Sequence, residues 1–182
     1  MLKRIPNMLT MSRVLIIPLV VLVMTFEHHI ALNSRIACGL FIYACITDFL
    51  DGYLARVLKA RSSFGKALDP IADKLLIASI IIILIQQQKI DILPAIAIVC
   101  REILVSGLRE FLAKIRVGMP VSSLAKFKTF IQMTAITILV LGNDGSGLSF
   151  MNEIGRIAIW IAAALTLFTG YVYLKASYKY YG

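Results

Sequence analysis

The chain has 182 residues, of which 59% are hydrophobic and only 16% charged. An ordinary soluble domain is about 45–50% apolar and about 25% charged, so a soluble globular enzyme, a disordered chain and a secreted scaffold are all poor matches. The 19 Lys and Arg against 10 Asp and Glu give a net charge of +9; most of these charges flank apolar runs, which points to lipid headgroups and topology and away from nucleic acid.

The expected class is therefore an all-α polytopic membrane protein. Crossing a hydrocarbon core of about 30 Å takes roughly 20 helical residues. Six such helices fill most of the chain and leave only short loops, so residues 1–182 are read as one membrane domain. The run from Met1 to Arg4, followed by Pro6 and an apolar stretch from Val14 to Phe26, starts as a signal peptide does. No small-residue cleavage site follows, and the chain continues Glu27-His28-His29-Ile30. The expectation is a short amphipathic interfacial segment carrying Lys3, Arg4 and Arg13, then a retained first span. Five more spans are predicted, over 34–56, 69–86, 92–111, 127–141 and 154–174. Pro18 and Pro94 fall inside spans, where neighbouring helices make proline tolerable. The run Gly142-Asn143-Asp144-Gly145-Ser146-Gly147 reads as a turn. His28 and His29 read as solvated loop residues. Tyr171, Tyr173, Tyr178, Tyr180 and Tyr181 read as interfacial anchors. Cys38, Cys45 and Cys100 lie in apolar stretches at irregular spacing and read as small buried hydrophobes, neither a disulfide framework nor a metal motif.

The basic residues set the expected orientation. Lys3, Arg4 and Arg13 flank the start, and Arg56, Lys59, Arg61 and Lys66 mark the second connection. Arg109, Lys114, Arg116, Lys126 and Lys128 mark the fourth, and Lys175 and Lys179 the end. The opposite side has only Arg35, Lys89 and Arg156. The positive-inside rule then places both termini in the cytoplasm.

The second predicted span ends in Asp48-Phe49-Leu50-Asp51-Gly52-Tyr53-Leu54-Ala55-Arg56, and Gly65, Asp69 and Asp73 follow. At about 100° per residue, Asp48, Asp51, Gly52, Ala55 and Arg56 fall on one stripe. Asp69 and Asp73, four apart, stack on one face of the next helix. Adjacent antiparallel helices would bring the two pairs together. Four carboxylates so close repel one another and are costly in a span, and divalent cations would offset both effects. Oxygen-only ligation suits Mg²⁺ or Mn²⁺ better than zinc. Two metals shared by four acids suit phosphoryl chemistry. Plainer roles stand beside this for single residues. Asp69 before Pro70 has the pattern of a helix cap, and Asp48 or Asp51 could pair with Arg56 or Lys74.

The pattern D-x2-D-G-x2-A-R-x8-G-x3-D-x3-D resembles the signature of the CDP-alcohol phosphotransferases, membrane enzymes of phospholipid synthesis. The resemblance implies a CDP-linked lipid substrate whose lipid-bearing phosphate is attacked by the hydroxyl of a second alcohol, with CMP leaving. It implies two divalent metals on Asp48, Asp51, Asp69 and Asp73, with Asp73 as general base. The nucleotide would lie over the second span at Asp48, Gly52, Ala55 and Arg56, and Thr10 and Arg13 are further candidates for nucleotide or interface contacts.

Three further stretches resemble the bacterial branch of that family that makes phosphatidylglycerol phosphate. They are Ile5 to Arg13, Arg101-Glu102-Ile103 with Ser106 to Glu110, and Leu124 to Thr129 with Gln132-Met133; Ala125 stands where many members have glycine. This branch implies CDP-diacylglycerol and sn-glycerol 3-phosphate as substrates, a bacterial cytoplasmic membrane and a homodimer. The acceptor would bring a phosphate dianion, for which Arg101, Arg109, Lys126 and Lys128 are the candidate ligands. Lys126 and Lys128 also fit topology anchors. Arg101 also fits a structural pair with Glu102, and Glu102 and Arg109, seven apart, lie near one helix face. Other acceptors (inositol phosphate, serine, phosphatidylglycerol) keep the same chemistry. A divalent-cation transporter is the rival from another class, but it would place its acids along a pore and has no use for Gly52 and Arg56.

Overall fold

A computed structural model describes the backbone of residues 5–26, 28–57, 63–114 and 123–178, and the side chains of the same residues except 5–10, 49, 51–57, 63–69 and 114. It is all-helical, with α1 (Ile5–Thr25), α2 (Ile30–Val57), α3 (Ser63–Gln86), α4 (Ile92–Lys114), α5 (Ser123–Ser146) and α6 (Met151–Tyr178). Among the described residues, three segments are long and apolar enough to cross a membrane: Ile30–Asp48, Ser123–Ser146 and Met151–Tyr178. A shorter apolar helix covers Met11–Thr25. Of the other helices, α3 carries Asp73 and Lys74 within its described part, and α4 carries Arg101, Glu102 and Arg109. Large apolar side chains lie open on every helix, among them Leu15, Ile82, Phe130 and Tyr171. Water penalises such surfaces but lipid does not, so the chain is a polytopic membrane protein.

Several expected boundaries change. α1 is one helix from Ile5 through Pro18, so the amphipathic start and the first span are two ends of one element. α3 begins at Ser63 and holds Pro70 inside it. Asp69 therefore lies in the helix interior and is not its cap. The proline only removes the N–H that would reach back one turn, and the helix continues. The glycine-rich turn is partly helical: α5 kinks at Gly142, with φ 59° and ψ −171°, then makes one more turn before Gly147 at φ 75°. Both positive φ values suit a residue without Cβ.

The chain packs as two compact units. One comprises Met1–Ile83 with Val140–Ser149, the other Leu84–Leu139 with Phe150–Gly182. In the first, α1 packs along α2. Ile16, Val20 and Met24 form the buried stripe of α1, and Ala37, Phe41 and Ala44 are buried on α2. Arg35 Nε donates to the Gly145 carbonyl at 2.8 Å, and a Cβ on Gly145 would stand 3.0 Å from Ser34 Cβ. In the second unit α4 packs along α6. The buried stripe of α6 runs Gly155, Ile159, Ala162, Thr166, Thr169 and Tyr173, small in its first half and polar in its second. A Cβ on Gly155 would meet Leu139 Cγ at 2.6 Å, so glycine sets how closely that helix approaches, as is common between membrane helices.

Candidate functional site

The acidic motif lies in the first unit. Asp48, Asp51, Gly52, Ala55 and Arg56 are all on the continuous helix α2, and Asp69 and Asp73 on α3, so the helical phases assumed for both groups hold for the backbone. The side chains of Asp51, Gly52, Ala55, Arg56, Asp69 and Thr10 lie outside the described residues, and with them the nucleotide contacts expected there. Of the four acids, Asp48 and Asp73 are described. Both act electrostatically on the Cys45 thiol, one turn before Asp48, so α2 and α3 bring these two carboxylates to one neighbourhood. Among the described residues no group of three or more His, Cys, Asp or Glu forms a metal nest; the remaining two acids of the motif are beyond that set.

Asp48 has a partner that sequence reasoning missed. Arg13 Nη1 on α1 donates to Asp48 Oδ1 at 2.5 Å, with the Arg13 side chain 2% exposed and that of Asp48 48%. Lys74, considered as a partner for the acids, donates to the Pro70 carbonyl at 3.0 Å. The only advance signal for Arg13 was a cation inside an apolar run, which must find an anion.

The second unit gathers the cations. Arg101 Nη1 donates to Glu102 Oε1 at 3.2 Å, and Lys128 Nζ, on α5, donates to the same oxygen. Arg101 Nη2 donates at 3.0 Å to Thr169 Oγ1 on α6, whose hydroxyl in turn donates to the Leu165 carbonyl. Gly170 leaves room for this arginine, since a Cβ there would meet Arg101 Cγ at 3.0 Å. Arg109 Nη2 donates to the Tyr173 hydroxyl at 2.6 Å. Glu102 thus takes Arg101 and Lys128 as partners, and Arg109 goes to a phenol. Lys128 is buried, whereas Lys126, two residues earlier and about 200° round the helix, is exposed. The structure therefore brings Arg101, Arg109 and Lys128 to one cluster and leaves Lys126 on the other face of α5.

Polar atoms continue one turn from the cluster. Gln132 on α5, four residues after Lys128, and Thr166 on α6, three before Thr169, are both almost wholly buried. Gln132 Oε1, Thr166 Oγ1 and Arg101 Nε have no hydrogen-bond partner among the described residues. Buried polar atoms are nearly always satisfied in folded proteins, so this region has unused capacity for a polar ligand or water. Tyr173, expected at the interface, is buried at 5% exposure. Gln132 and the α6 threonines were legible only as polar residues at helical spacing from a charge.

Comparison with known proteins gives the family. The family model for CDP-alcohol phosphatidyltransferase matches residues 3–168. A Rickettsia felis protein named CDP-diacylglycerol–glycerol-3-phosphate 3-phosphatidyltransferase is 50% identical, covering 98% of each chain. A Cereibacter sphaeroides protein of the same name is 37% identical over 97% of this chain and 96% of its own, and one from Pseudomonas fluorescens is 38% identical over 97% and 91%. With its aspartates spaced along α2 and α3 and nearly its whole length matched, the chain belongs to the CDP-alcohol phosphatidyltransferase family.

Proposed function

We propose that this protein transfers the phosphatidyl group of CDP-diacylglycerol to a hydroxyl of sn-glycerol 3-phosphate, giving phosphatidylglycerol phosphate and CMP. The observation that carries the choice of a phosphorylated acceptor over an uncharged one is the cluster of Arg101, Arg109 and Lys128. Three cations against the single Glu102 leave a net charge of about +2, which matches a phosphomonoester dianion; serine and other acceptors without net charge would leave it uncompensated in an apolar bundle. Full-length relatives named for this reaction support the same reading.

The roles follow from the residue types. Arg101 and Arg109 present forked N–H groups that suit phosphate oxygens, and Lys128 adds a point charge. Asp73 takes the proton of the attacking hydroxyl, whose oxygen bonds to the lipid-bearing phosphorus as the bond to CMP breaks. Gly52 and Ala55 give a nucleotide close access to α2, and Arg56 holds diphosphate oxygens. The donor chemistry fits Mg²⁺ or Mn²⁺: the motif offers oxygens only, and its two described members, Asp48 and Asp73, share one neighbourhood. Asp48, Asp51, Asp69 and Asp73 would hold two ions, which supply stabilisation of charge on the diphosphate. We place the protein in a bacterial cytoplasmic membrane with both termini inside, on the distribution of its basic residues, and as a homodimer by family likeness.

The test is CMP release in mixed micelles with CDP-diacylglycerol and Mg²⁺, offering sn-glycerol 3-phosphate, inositol phosphate and serine in turn. Release with glycerol 3-phosphate alone is expected. Release with another acceptor instead would overturn the acceptor assignment. No release with any acceptor, together with Mg²⁺ uptake by liposomes holding the protein, would establish the transporter.

A further inference from the structure

Tyr173 has no part in the chemistry above, yet it sits at the centre of the cationic cluster. Its ring is buried with Val105 of α4 and Ala125 of α5, so three helices fix its position. The Arg109 guanidinium carbon stands 4.9 Å from the ring centroid and that of Arg101 5.9 Å, both within cation–π range. The phenol oxygen accepts from Arg109 at 2.6 Å. Arg109 itself is exposed. An exposed arginine samples many rotamers, and fixing it costs side-chain entropy. Here a rigid aromatic group holds it at both face and edge.

The choice of phenol matters. A carboxylate in the same place would hold the arginine but cancel its charge, as Glu102 partly does for Arg101 and Lys128. A neutral hydroxyl holds Arg109 and leaves its full charge for a ligand. Of the five N–H groups of a guanidinium, the bond to Tyr173 uses one.

We propose that Tyr173 is a positioning residue that aims the remaining N–H groups of Arg109 at the phosphate of the acceptor and so sets the affinity for it. This rests on the reading of Arg101, Arg109 and Lys128 as the acceptor-phosphate ligands. Tyr173→Phe keeps the ring, its packing and its π face, and removes only the acceptor atom.

The experiment is two-substrate kinetics of the full-length enzyme in CDP-diacylglycerol micelles. Y173F is expected to raise KM for sn-glycerol 3-phosphate about tenfold, the scale of losing a hydrogen bond to a charged group. It should leave kcat and KM for CDP-diacylglycerol within about twofold. Arg109→Lys, which keeps the charge but lacks the fork, should reproduce the effect; Y173F added to R109K should change KM little further, since both act through one bond. An unchanged KM in Y173F or in R109K overturns the proposal, as does an equal further rise in the double variant. Lys128→Met and Arg109→Ala are run alongside. If they raise this KM and Y173F does not, only the role of Tyr173 falls. If they too leave it unchanged, the phosphate-pocket reading itself is wrong.

Discussion

The two compact units solve one electrostatic problem in opposite senses. The first sets one buried arginine, Arg13, on the motif carboxylate Asp48. The second concentrates cations and threads one carboxylate among them, Glu102 on Arg101 and Lys128. In each, the opposite charge offsets part of the cost of burying like charges. The difference lies in which partner stays open. The Asp48 side chain is 48% exposed while its arginine is buried. In the second unit Lys128 is the buried member, 2% exposed against 26% for Glu102. There the open cation is Arg109, held by a phenol. The cationic cluster is a buried charge with one exposed arginine.

Breaking this comparison should produce effects of descending size. Removing divalent ions with a chelator is expected to abolish CMP release, with recovery on adding Mg²⁺ or Mn²⁺; full activity in chelator would contradict the metal assignment. Asp73→Asn should lower kcat by roughly 10²–10⁴-fold, the usual range for a lost general base, with circular dichroism and size-exclusion profiles unchanged. Near-normal turnover in a folded D73N protein would remove Asp73 from that role. Lys128→Met should destabilise the second unit by about 1.5–3 kcal/mol, the scale of a lost hydrogen bond between charged groups, seen as a lower thermal midpoint in detergent; Glu102 keeps Arg101 as its partner. Gly155→Ala, which pushes a methyl into Leu139, should cost about 1–3 kcal/mol and leave KM alone. Lys126→Ala should shift KM for glycerol 3-phosphate by less than about twofold, because an exposed charge on the far face of α5 contributes little.

The placement of the acid motif on two helices was legible, because its information lies in fixed spacing along α2 and α3. The cationic cluster was legible in kind but not in membership. Lys126 and Lys128 look alike in sequence, and only the phase of α5 against its neighbours separates them. Tyr173 looked like one more aromatic at a helix end; its burial comes from the packing of α4 and α6, which periodicity does not specify. The bond from Arg13 to Asp48 depends likewise on how α1 lies along α2. Pro70 misled because proline after aspartate is a common helix start, whereas here two turns of helix precede it.

The central claim is a division of labour, with the second unit's cations recognising the acceptor phosphate. Its most direct measurement is KM for each substrate separately in Arg109→Ala, which removes the exposed cation and leaves the pairs of Glu102 with Arg101 and Lys128 in place. The account predicts a rise of at least about tenfold in KM for sn-glycerol 3-phosphate and no change beyond about twofold in KM for CDP-diacylglycerol. A rise confined to CDP-diacylglycerol, with the acceptor's KM unmoved, would contradict it.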